Sequence, residues 1–371
     1  MMVGGLCASI QSELDALFAR LDGCIGRRRA VSAQAFSKAR QGFSATLFRD
    51  ANARLLDAAD AVLDRHAWHG LRPVAADASR LSVSTRSGRQ LPAEHYAFAL
   101  YAPGAELTLH ASLHPADGCE RQMLFEALDL LRPGRDLLVL DRGYPANWLM
   151  ALLSQRGIDF CTRIDGGNWN VVKHFVRSGK TEAIVTLPRP ARNKCELYDV
   201  DGQPTRVRLL RQVTPSGELR VLMTSLLDTQ RFPAADFHRL YHSRWRVEEA
   251  FKRLKHRLNL EAVTGLNYLA LQQDFHAKIL ADNLCTLLAS TAQAAGEESK
   301  EARVPNRTYA LGALSAVLAG CLLGNRHCLA ALPSVLDAIG RTSRRQQTGR
   351  SYPRGKQVKP HLSSSYRPAR A

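Results

Sequence analysis

The chain is poor in acidic residues, poor in aromatics and without any paired-cysteine motif. Its 34 Asp and Glu stand against 51 Lys and Arg, giving a formal net charge of +17. That deficit of acid favours an extended polyanion as partner, nucleic acid ahead of an anionic membrane. The eight cysteines (Cys7, Cys24, Cys119, Cys161, Cys195, Cys285, Cys321 and Cys328) form no CxxC pair and have no His at zinc-finger spacing. This excludes a zinc finger and points to reduced thiols in a cytoplasmic protein. No Walker loop or GxGxxG is present, which argues against a nucleotide cofactor, and His66, His69, His110, His114 and His242 supply no HExxH pair for a zinc hydrolase. No aromatic-rich strand accompanies the basic residues as an RNA-binding module would require. The longest run free of Asp, Glu, Lys and Arg, Thr308 to Asn325, has 18 residues and polar ends. It falls short of the roughly 20 apolar residues of a membrane span, so a buried C-terminal helix is expected. Glu13 and Asp15 interrupt the N-terminal apolar residues, and no signal peptide is expected.

What is present is an ordinary globular composition, 45% hydrophobic over 371 residues, enough for two or three domains at about 150 residues each. Residues 1–70 carry apolar residues at helical spacing (Leu14, Leu17, Phe18, Leu21) and are read as a helical N-terminal DNA-binding region. From Leu71 the pattern turns to strands, Val74 to Val83, His95 to Tyr101 and Leu107 to Leu113, a meander. A helix from Glu120 to Leu131, a fully apolar strand Leu137 to Leu140, a helix Ala146 to Gln155 and a strand Asp159 to Arg163 complete a mixed α/β core over 71–167. Residues 168–230 are read as a β-rich insertion domain with strands Ala183 to Leu187, Cys195 to Val200, Thr205 to Val213 and Glu218 to Leu226. The core resumes over 231–292, a helical C-terminal region follows over 293–340, and 341–371 is a basic tail. The tail holds nine Lys and Arg and no acid. It is either a phosphate-binding arm or a solubilising end.

Three acids stand out. Asp141 follows a buried strand at its C-terminal end, where α/β sheets place their ligands, and precedes Gly143 by two residues. Asp77 interrupts a strand, where Asp has poor propensity. Glu248 lies in Tyr241-His-Ser-Arg244-Trp-Arg-Val-Glu248-Glu-Ala-Phe-Lys-Arg-Leu-Lys255. On one helix, at about 100° per residue, Tyr241, Arg244, Glu248 and Lys255 share a stripe roughly 60° wide, beside Leu240, Val247, Phe251, Leu254 and Leu258. Glu249 points away to solvent. The stripe reads either as an ion-pair network on a helix surface or as a metal-binding carboxylate flanked by phosphate contacts. Two strand-borne aspartates and a helix-borne glutamate are the oxygen donors that hard divalent cations need in phosphodiester cleavage.

The spacing Tyr241, Arg244, Glu248, Lys255, with its filling of Trp245, Val247, Phe251 and Leu254, resembles the YREK signature of DDE transposases in the insertion-sequence-4 branch. Val139-Leu140-Asp141-Arg142-Gly143-Tyr144 is similar to that family's second-Asp motif and Ala75-Ala76-Asp77-Ala78-Ser79 to its first. The resemblance runs from about Ser32 to Thr286. It implies an RNase H-like mixed sheet flanked by helices, interrupted by a β-strand insertion domain, with helical N- and C-terminal regions. Asp77, Asp141 and Glu248 would be the catalytic and metal-binding triad, separated by 64 and 107 residues. Tyr241, Arg244 and Lys255 would contact DNA phosphates. The resemblance also implies two Mg²⁺ ions, with Mn²⁺ able to substitute, and double-stranded DNA, both terminal inverted repeats and target, as partner. A homodimer on DNA, a cytoplasmic, nucleoid-associated location and a hairpin at the transposon end followed by strand transfer complete the implied picture. Arg220 stands where some members carry a base-stacking Trp, a role open to Trp245 or Trp169. Against the active enzyme stands a catalytically silent, DNA-binding relative that occupies transposon ends. Convergence of Asp77, Asp141 and Glu248 separates the two.

Overall fold

The structure is a computed structural model that describes residues 9–345 apart from 25, 84–93, 166–168, 215–216, 266, 295–302 and 305. The chain begins with four helices, α1 (Ile10–Leu21), α2 (Ala33–Arg40), α3 (Leu47–Ala58) and α4 (Asp60–Asp64). Ser9 and Ser32 start the first two by accepting the backbone N–H groups of Ser12 and Ala35. Strands β1 (Arg72–Ser82), β2 (Glu94–Ala102) and β3 (Leu107–Pro115) follow, then α5 (Glu120–Ala127), β4 (Asp136–Leu140), α6 (Asn147–Gln155) and β5 (Asp159–Ile164). Next come α7 (Asn170–Arg177), β6 (Glu182–Thr186), α8 (Arg192–Tyr198), β7 (Arg206–Val213) and β8 (Leu219–Thr224). Helices α9 (Phe237–Ser243), α10 (Trp245–Arg257), α11 (Tyr268–Ala294), α12 (Arg307–Leu322) and α13 (Arg326–Arg341) close the chain, with two-residue strands β9 (Arg303–Val304) and β10 (Arg344–Arg345) pairing antiparallel.

The chain divides into two compact units. One, residues 56–80 and 96–251, is built on an eight-stranded sheet of order β3-β2-β1-β4-β5-β8-β7-β6. The β1, β4 and β5 strands run parallel, whereas β8 joins β5 antiparallel and β7 and β6 continue that way. This is the mixed α/β sheet anticipated from the sequence. Every residue of β4 is buried, as an unbroken apolar strand covered on both faces requires. Period-two alternation sends Val74, Ala76, Leu138 and Leu140 into one core, with Met123 and Leu124 of α5 and Leu149 and Leu152 of α6. It sends Leu71, Leu137 and Val139 into the other, with Phe237, Leu240 and Tyr241 of α9.

A buried ion pair fixes the register at the start of these strands. Arg72 Nε and Nη2 donate to Asp136 Oδ1 and Oδ2 at 2.6 and 2.8 Å, and the two residues are direct neighbours across the β1–β4 ladder. The fork-to-carboxylate geometry satisfies both charges where water cannot reach them.

Residues 182–224 do not form a separate β layer, since their three strands extend the main sheet from β5 outward. Cys195 to Val200 corrects a sequence expectation: it is mostly helix α8 instead of a strand. Cys195 and Tyr198 both pack on the first core, which residues three apart do on a helix and cannot do on a strand. Tyr198 stacks on Trp148 at 3.8 Å between ring centroids. Helix α7 was also unforeseen in this stretch.

The other unit comprises residues 9–55, 81–95 and 252–345 as far as they are described. Arg40, almost wholly buried, donates to Gln273 Oε1 (3.0 Å), the Ala270 carbonyl (3.1 Å), Asp274 Oδ1 (3.1 Å) and Thr264 Oγ1, tying α2 to α11. The 18-residue uncharged run lies in α12 and the turn after it, with Ala310, Leu314 and Leu318 buried. Among the described residues no helix is long and apolar enough to cross a membrane. Most of the basic tail, 346–371, lies outside the described residues.

Candidate active site

The parallel register from Arg72–Asp136 to Ala75–Val139, continued by two residues, brings Asp77 level with Asp141. Both positions have the parity of Leu137 and Val139, so both side chains leave the sheet on the α9 face. Helices α9 and α10 meet at Arg244, whose backbone stays helical (φ −53°, ψ −36°), so the stripe read from the sequence is preserved across the junction.

Tyr241 Oη donates to Asp141 Oδ1 at 3.3 Å. Arg244 Nη2 donates to Glu248 Oε1 at 2.9 Å and lies 3.9 Å from Asp141 Oδ1. The arginine side chain is only 4% exposed, against 30% for Glu248 and 41% for Asp141. A single buried guanidinium therefore faces two carboxylates that keep an open side. Burial pulls the Arg244 pKa down, but Asp141, Tyr241 and Glu248 outweigh it and hold the group more firmly charged than usual. Burial, reinforced by Asp141, pushes the Tyr241 phenol up.

Asp77 is half-buried and its pKa is raised to about 7, through burial first. Arg244 opposes that rise, while Glu248 and Glu120 add to it. Five of the six residues singled out from the sequence thus belong to one electrostatic cluster. The sixth, Lys255, lies in the other compact unit, where its Nζ stands 3.8 Å from Glu261 Oε1. Glu249 is exposed, as its place on the helix requires.

Two members were not foreseen. Glu120 opens α5, and its pKa is raised by burial and then by Asp141. Tyr144, which closes the second-Asp motif, is fully buried, and its hydroxyl finds no hydrogen-bond partner among the described residues. The charges acting most on that phenol are Glu120 and then Asp77. Nothing in the pattern around Glu120 separates it from an acid in the first turn of any helix. Of the aromatics considered for base stacking, Trp245 is partly exposed and Trp169 packs against the core. Arg220 and Arg163 both pair with Glu218, at 2.8 and 3.2 Å.

The donor set is all oxygen and acidic, which fits a hard divalent cation in kind. Among the described residues, however, no three His, Cys, Asp or Glu side chains are grouped closely enough to hold a metal ion.

A family profile described as "Transposase DDE domain" matches residues 68–284, more than half of the chain. No curated protein matches it. Among solved structures, the cryo-EM structure of the piggyBac transposase synaptic complex with hairpin DNA is similar with a TM-score of 0.43 and 11% sequence identity. That similarity covers 76% of this chain and 59% of the other, so the chain spans less than two thirds of that neighbour.

Proposed function

Because the chain belongs to the transposase DDE domain family, we propose that it cuts and joins DNA at insertion-sequence ends, as a member of the insertion-sequence-4 branch, with Asp77, Asp141 and Glu248 as its catalytic carboxylates. The observation that carries this reading is the level placement of Asp77 and Asp141 beyond paired parallel strands, with Glu248 linked to Asp141 through Arg244. All three lie within the matched residues.

Asp77, Asp141 and Glu248 would hold Mg²⁺, in two ions by the family's pattern. The metal would supply positive charge for the attacking and leaving oxygens of a phosphodiester. The protein's own part is to bind and orient. Tyr241 fixes Asp141 and Arg244 fixes Glu248, so both carboxylates are aimed before any ligand arrives. With Lys255, the same two residues would meet DNA phosphates. The excess of basic residues would draw both the terminal repeats and the target duplex, and two ends would be joined by a homodimer on DNA, in the bacterial cytoplasm.

That no three of the described acidic, His or Cys side chains are grouped to hold a metal ion favours a second reading, a silent relative that binds ends without cutting. Glu248→Gln and Glu249→Gln separate the two. In an enzyme, Glu248→Gln abolishes cleavage of terminal-repeat DNA and leaves binding intact, while Glu249→Gln cuts normally. Binding by the wild type without cleavage upholds the silent relative, and equal losses in both variants refute the assignment of Glu248.

A further inference from the structure

Three arginines meet around a single carboxylate in the unit that includes residues 252–345. Arg253 Nε and Nη2 donate to Asp282 Oδ1 and Oδ2 at 2.8 and 2.7 Å, so both oxygens of that buried acid are engaged. Arg307, the first residue of α12, donates from Nη1 to Thr286 Oγ1 at 2.6 Å, and that hydroxyl donates to the Asp282 carbonyl at 2.8 Å. Asp282 and Thr286 are one turn apart on α11, which brings the two guanidiniums to adjacent turns of one helix. Arg257 follows Arg253 by one turn of α10, is exposed, and makes no hydrogen bond or ion pair among the described residues.

One negative charge thus stands against three positive ones. Like charges four residues apart on a helix repel, and Arg253 and Arg257 are such a pair. Burial, then Arg253 and Arg307, pull the Arg257 pKa below its ordinary value, and Asp282 does not make up the difference. A network built only for stability would set a second acid here, whereas Arg307 meets the neutral hydroxyl of Thr286. The chain around these three is basic as well. The β9–β10 ladder pairs Arg303 with Arg345 and Val304 with Arg344 just ahead of α12. Residues 346–371, with six Lys and Arg and no acid, follow β10 in the chain. At about 100° per residue, Arg253 and Arg257 lie roughly 160° around α10 from Lys255, on a different face from the stripe of Tyr241, Arg244 and Glu248.

We propose that Arg253, Arg257 and Arg307 form a second phosphate-binding site, which takes a backbone phosphate of duplex DNA apart from those met by Tyr241, Arg244 and Lys255. The inference rests on the DNA partner proposed above. A phosphate brings the missing negative charge and gives Arg257 and Arg307 acceptor oxygens, while Asp282 keeps Arg253 in place. Binding of the full chain to a labelled random-sequence duplex is read by fluorescence anisotropy across a KCl series, since phosphate contacts carry no sequence information. Wild type is compared with Arg257→Gln, the double variant Arg257→Gln with Arg307→Gln, Arg257→Lys, and Arg192→Gln as a control at an exposed arginine of α8. Melting establishes that each protein is folded.

The double variant is expected to bind at least about threefold more weakly, with a log–log salt slope shallower by about 0.9, the worth of one phosphate. Arg257→Gln should fall between it and wild type, and Arg257→Lys and Arg192→Gln should keep the wild-type slope. A wild-type slope in the double variant, or an equal change in Arg192→Gln, overturns the site and leaves the proposed function standing. A melting shift with inorganic phosphate that the double variant loses, beside an unchanged DNA slope, assigns the site to a small anion and overturns the DNA assignment. No binding of the duplex by wild type overturns both the site and the proposed function.

Discussion

Replacing Asp77 by Asn should make the metal-free protein more stable, and increasingly so as the pH rises. The carboxyl titrates at about 7 in the fold against an ordinary value of 3.8. Below 3.8 the acid is neutral in both folded and unfolded chains and costs nothing. Between 3.8 and 7 the unfolded chain releases its proton first, so stability falls as pH rises, and above 7 the full penalty is present. The rise from 3.8 to about 7 corresponds to about 4 kcal/mol at most, of which about 2–3 kcal/mol accrues between pH 5 and pH 8. Asparagine keeps the shape and never charges. Urea unfolding in EDTA at pH 5 and pH 8, for wild type and Asp77→Asn, should therefore show the variant's advantage growing by that amount. Adding Mg²⁺ at pH 8 should return the stability to wild type and give Asp77→Asn little. An advantage that does not change with pH, or a wild type more stable than the variant at pH 8 in EDTA, would refute the argument that Asp77 is held under electrostatic strain.

Other consequences test the scaffold and the DNA partner. Asp136→Ala leaves Arg72 charged and buried at the root of the β1–β4 ladder, and should destabilise the protein by about 3–5 kcal/mol in urea unfolding. A loss below 1 kcal/mol would show that water reaches the pair. Removing residues 346–371 takes away six Lys and Arg. If they meet phosphates, the slope of log binding constant against log salt should become shallower by up to about 5, and an unchanged slope would make the tail a solubiliser. Arg244→Gln should weaken the hold on Glu248 and Asp141, lowering turnover more than DNA affinity; an equal fall in both would make Arg244 chiefly a phosphate contact.

Much of this sheet was legible because its signals are local. The unbroken apolar run Leu137 to Leu140 could only be a strand covered on both faces, and it is fully buried. The stripe from Tyr241 to Glu248 follows from helical period alone, and it survives the junction at Arg244. What the pattern could not carry was side-chain reach between distant segments. Cys195 to Val200 alternates well enough for a strand, and only the stacking of Tyr198 on Trp148 decides for a helix. Arg244 read as either half of a helix-surface ion pair or a phosphate contact, and it is buried between carboxylates more than 100 residues apart in sequence. Glu120 was invisible for the same reason. Its carboxylate lies over the turn at Gly143, which no spacing rule connects to the start of α5.

If Asp77 on β1, Asp141 just beyond β4 and Glu248 on α10 act together as proposed, they cut DNA. Labelled duplex carrying the element's own terminal repeats, incubated with Mg²⁺ or with EDTA, tests it for wild type and Asp141→Ala in parallel. The expected result is nicking at the element boundary by wild type in Mg²⁺, none in EDTA and none with Asp141→Ala. Boundary cleavage that persists in Asp141→Ala would contradict it, as would tight, specific binding by a wild type that never cuts.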